Sequence, residues 1–144
     1  MRRRLLPLLV LATATLGTLF VAPAHAHTAY ISTTMTGSQE APNPGDPDGV
    51  GSAFFTLDST TGRVCVRFHV RNIAPATAAH IHVAPPGVAG PIVVHLPAPT
   101  SGFASGCVSA SPTLVQRIID NPQNYYVNVH NPPFPGGAVR GQLG

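Results

Sequence analysis

Apolar and polar residues alternate with period two along most of the chain beyond residue 27. Successive side chains of a strand point to opposite faces, so this pattern predicts half-buried strands rather than helices. The clearest case is residues 63–72, where Val64, Val66, Phe68 and Val70 fall on one face and Cys65, Arg67, His69 and Arg71 on the other. Residues 50–58 repeat it with Ala53, Phe55 and Leu57, and residues 27–37 follow it more loosely. Two short strands, 78–83 and 92–96, are joined by a Pro/Gly loop. Residues 106–110, 124–130 and 138–143 complete the set.

Between these runs lie turn formers. Residues 39–49, crowded with Pro, Gly, Asn and Asp, read as an exposed loop; 59–62 make a tight connection, and 97–105 are loop. One segment changes period. Ser111 suits a helix N-cap and Pro112 the first helical position, Leu114, Val115, Ile118 and Ile119 recur at helical spacing, and Asn121-Pro122 ends the run. The expectation is an all-β domain of about eight strands, a Greek-key β-sandwich or small barrel, with one short helix near 112–120.

Charge enters through the N-terminus. Arg2-Arg3-Arg4, an apolar stretch from Leu5 to Val21 and Ala24-His25-Ala26 have the order of a secretory signal peptide with its cleavage site. Residues 1–26 are therefore read as a leader and 27–144 as a single exported domain, with no membrane span after cleavage. All 8 basic residues are arginine, and three belong to the leader. The remaining five face 5 acidic residues, so the domain is near neutral and has no electrostatic footprint for nucleic acid. Export makes a disulfide the default for Cys65 and Cys107. Closing a loop of that length is worth about 4 kcal/mol in the chain-entropy model. Because Cys65 falls on the outer face, the bridge is expected to staple a loop or edge segment over the sheet.

The same alternation sorts the histidines. His80 and His82 share a face away from Ile81, and His95 and His130 are likewise set apart from the aliphatic residues of their strands. Imidazole suits copper and zinc, and two positions spaced i, i+2 along a strand, roughly 7 Å apart, allow both rings to reach one ion. His80, His82 and His130 form the candidate metal set, with His95 and His69 in reserve. Cleavage after Ala26 would expose His27, whose amine and imidazole together chelate Cu(II). Glu40 and Arg140 are a candidate ion pair or loop clamp. Tyr126 and Phe134 are candidates for a binding surface, Phe134 as an exposed aromatic on the loop 132–137. No nucleophile elbow, catalytic carboxylate pair or reactive cysteine is visible, so binding is favoured over catalysis.

Four stretches carry a resemblance: Thr36-Gly-Ser-Gln-Glu40-Ala-Pro42, Ala78-Ala-His-Ile-His82, Gly87-Val-Ala-Gly-Pro91, and Tyr126-Val-Asn-Val-His130 with Pro135-Gly-Gly-Ala-Val-Arg-Gly-Gln-Leu143. In this order they resemble the chordin-type (CHRD) domain, from about Tyr30 to Leu143. The resemblance implies an extracellular β-sandwich, found both in an animal growth-factor antagonist and in stand-alone bacterial secreted proteins. The domain is expected to act as a monomer that binds an extracellular protein or surface ligand. His-x-His on an outward strand, with a further histidine from a later strand, is similar to the copper arrangement of Cu/Zn superoxide dismutases, which points to copper or zinc as the cofactor.

Overall fold

A computed structural model describes residues 28–144; residues 1–27, with the expected leader and His27, lie outside the described residues. Eight strands form one antiparallel sheet: β1 (Thr28–Thr36), β2 (Val50–Asp58), β3 (Arg63–Arg71), β4 (Ala78–Val83), β5 (Ile92–Leu96), β6 (Phe103–Ser109), β7 (Tyr125–Asn131) and β8 (Phe134–Gln142). Their spatial order is β5-β4-β7-β8-β1-β2-β3-β6. The two edges, β5 and β6, approach each other, and Pro97 lies against Gly106 at this seam, so the sheet curls into a nearly closed Greek-key barrel. The expected all-β architecture with one helix is the one observed.

Alternation explains the interior. Phe55, Leu57, Val64, Phe68, Ile81, Val127, Val129 and Val139 all point inward and are buried, with Phe55 and Phe68 packed edge to face at 6.4 Å. The helix α1 (Pro112–Asp120) is set as its sequence predicts. The Ser111 hydroxyl accepts the Leu114 N–H at 3.1 Å, and Val115 and Ile118 are fully buried in the core. The Cys65–Cys107 disulfide joins directly opposed residues of β3 and β6, with Cα atoms 3.9 Å apart. It fastens the edge strand β6 side by side with β3 rather than over the sheet.

Three boundaries differ from the sequence pattern. β6 begins at Phe103, because pairing with β3 as far as Phe103↔His69 extends a stretch whose small residues hide their period. β8 begins at Phe134, so residues 132–137 are not a loop; the turn is Pro132-Pro133 alone, and Phe134 pairs with Asn131. The segment 39–49 is an exposed loop only in part: Gln39, Pro42, Asn43, Pro44, Pro47 and Asp48 are exposed, whereas Glu40, Gly45, Asp46 and Gly49 are buried. It is pinned where the Asp46 N–H donates to the Ala138 carbonyl at 2.8 Å and the Gly45 N–H to the Gly37 carbonyl at 2.8 Å.

Candidate metal centre

β4 and β7 are neighbours in the barrel wall, in a register that pairs Ala78 with His130, His80 with Asn128, and His82 with Tyr126. All of these positions except Ala78 carry polar or aromatic side chains pointing away from the core. The pleat that sends Ile81, Val127 and Val129 inward therefore gathers three imidazoles outside. One ring nitrogen from each of His80, His82 and His130 lies within 4.8 Å of the others. The His80 ring contacts those of His82, His95 and His130, with centroids 5.6, 4.8 and 4.9 Å away.

This outer face is not open to water as a bare sheet would be. The loop 84–91 folds back over it, held by side chains from β8. Arg140 donates to the carbonyls of Val88 and Pro85, both at 2.9 Å, and the Gln142 amide donates to that of Ala84 at 2.8 Å. Beneath the loop a stack forms in which the Arg140 guanidinium sits 3.4 Å over the Tyr126 ring, and Tyr126 lies parallel to His82 at 4.7 Å. Arg140, Asn128 and Tyr126 are consequently almost wholly enclosed.

Hydrogen bonds decide which nitrogens carry protons. A carbonyl only accepts, so Nδ1–H of His82 donates to the Gly90 carbonyl at 2.8 Å. In the neutral His82 ring Nε2 is then a lone pair. It is buried with no hydrogen-bond partner. His130 stands between two oxygens that only accept, with Nδ1 3.0 Å from the Pro135 carbonyl and Nε2 2.9 Å from Asn128 Oδ1 and 3.1 Å from His80 Nδ1, so its neutral ring donates to one of the two and keeps one nitrogen as a lone pair. The enclosed His82 lone pair is left without a proton donor, and a cation is a species that would satisfy it. Donation of the far N–H to a carbonyl is also how metal-bound imidazoles are oriented.

Burial keeps the site neutral. It is the chief cause lowering all three imidazoles below their ordinary range, His80 to about 4, with the neighbouring histidines adding to the effect there. Burial acts oppositely on Glu40, raising it to about 7 against the pull of Arg140 and hydrogen bonds from Asn128 and Ala41. A side chain on Gly137, at φ 139°, would fall onto the Glu40 carboxylate, so a glycine there keeps the carboxylate's place.

Residues 31–143 match the family model of the CHRD domain. The chain is a CHRD domain protein. No curated protein and no solved structure gives a significant match to it.

Within this CHRD domain, His80, His82 and His130 are brought together, and His95 stands exposed at their rim. His69 is not part of the group; it lies on β3, on the far wall, with its ring against Phe103 at 5.4 Å. His27 lies outside the described residues. Glu40 and Arg140 both border the site, but Arg140 directs its hydrogen bonds to loop carbonyls and Gln142 rather than to the carboxylate. Tyr126 is enclosed in the stack rather than on a rim, and Phe134 is half-buried within a strand. Three contributors escape sequence reasoning: Asn128, Gln142 and the Gly90 carbonyl. Asn128 sits between Tyr126 and His130 in the alternation, which signals its face but not the loop that buries it.

Proposed function

We propose that this CHRD domain is an exported binding module that holds a single copper or zinc ion on His80, His82 and His130. The family, the disulfide and the leader-like N-terminus support export, and among the described residues no helix is long and apolar enough to cross a membrane. The observation that carries the metal reading is His82 Nε2, enclosed and without a partner beside two other imidazole nitrogens. Leaving such a group unsatisfied costs about 1–3 kcal/mol, and a soft-to-borderline cation removes that cost. His80, Asn128 and the backbone carbonyls of Gly90 and Pro135 then act as the frame that orients the ligands. The exposed rim beside His95 leaves the centre reachable, which suits capture and exchange of the ion.

Untagged protein dialysed against Cu(II) or Zn(II) is expected to retain a single ion per chain by atomic emission. The His80→Ala/His82→Ala variant is expected to retain none. Clearly sub-stoichiometric retention by the parent, or the same retention in the variant, would defeat the proposal.

A further inference from the structure

The wall opposite the histidines is built from β1, β2, β3 and β6, and its outer face has a different chemistry. Tyr30, Phe54 and Phe103 are 80, 52 and 47 % exposed on it. Alternation places Arg63, Arg67 and Arg71 on that same face of β3, all exposed. Each stands four positions along the strand from the next, roughly 13 Å. Three of the five arginines beyond the leader thus form one row, while Asp58 is the single acidic side chain on this face among the described residues. Register sets Phe54 beside Arg67 and Ser32, and Tyr30 beside Thr56. A shallow groove of about 630 Å³ runs between them, floored by the Cys65–Cys107 disulfide.

Nothing in the fold needs this arrangement. The rings contribute nothing to the core, and exposed large apolar side chains gathered in one place mark a contact surface. A second copy of the chain is a poor occupant, because a two-fold contact would set the arginine row against itself. An acidic polysaccharide fits each component. Aromatic faces stack on the apolar face of a sugar ring, serine and threonine hydroxyls meet its hydroxyls, and guanidinium groups pair bidentately with carboxylate or sulfate. We infer that this aromatic and arginine wall is a binding face for an acidic polysaccharide chain, lying across β1, β2 and β3 and separate from the histidine centre.

Affinity electrophoresis of the protein through gels containing polygalacturonate or dextran sulfate tests this, with neutral dextran as the control. Retardation by an acidic polymer but not by dextran is expected. Both Arg67→Ser and Tyr30→Ala/Phe54→Ala are expected to weaken it at least tenfold. The two variants alter different exposed positions, so either serves if the other fails to keep the parental Tm. Three results would each overturn the inference: no retardation by either acidic polymer, retardation undiminished when the rings are removed, which is ion exchange alone, or equal or tighter binding of a single-stranded oligonucleotide.

Discussion

At the scale of single residues, Glu40 and His80 respond to pH in opposite senses, and both do so because burial penalises charge. Glu40 is raised to about 7, so the folded protein holds its proton where the unfolded chain has already released it. Its contribution is complete below pH 4.5 and is lost as pH rises toward 7. His80 is lowered to about 4, so the unfolded chain takes up the proton first, and stability falls as pH drops from 6.5 toward 4. The two effects overlap between these limits and partly cancel. Glu40→Gln removes the falling limb alone. Its stability relative to the parent is therefore expected to rise between pH 4.5 and 8, by up to about 3 kcal/mol, as read from urea unfolding at the two pH values. A difference that does not change with pH would show that Glu40 is not held in its neutral form.

At the scale of elements, the helix and the strands differ in how plainly the sequence marks them, for physical reasons. Ser111 and Pro112 are local signals, and they set α1 where expected. Ser111→Ala is expected to lower unfolding free energy by about 1 kcal/mol in urea titration, with Ser111→Asp restoring it. Strong alternation likewise gave β2, β3, β4 and β7 and, through them, the grouping of His80, His82 and His130. Residues 103–105 and 134–137 carry too little contrast in hydrophobicity for alternation to show; pairing with β3 makes the first a strand, and the second joins β7 at Phe134 across an irregularity in the ladder. The burial of Asn128, Tyr126 and Arg140 was beyond the pattern for another reason. It depends on the loop 84–91 closing over an outer face, and that closure is made of backbone carbonyls, which every sequence possesses.

At the scale of the molecule, binding and folding are coupled, since a ligand that meets only the folded state stabilises it. At a free metal concentration 100 times Kd the gain is about 2.7 kcal/mol, a rise in Tm of roughly 10 °C for a domain of this size. Cu(II) or Zn(II) is expected to produce that rise in calorimetry, and a chelator to reverse it. With His80 neutral down to about 4, the rise is expected to persist at pH 5.5. Loss of the whole effect between pH 7.5 and 5.5 would mean that ordinary solvated imidazoles bind the ion.

The strand order places β4 and β7 half a circuit from β2 and β3. Imidazoles and arginines therefore look out in opposite directions, and neither obstructs the other. A molecule lying with its rings on a polymer fibre turns its imidazoles to the surrounding fluid, and a layer of such molecules would give the fibre a chelating coat.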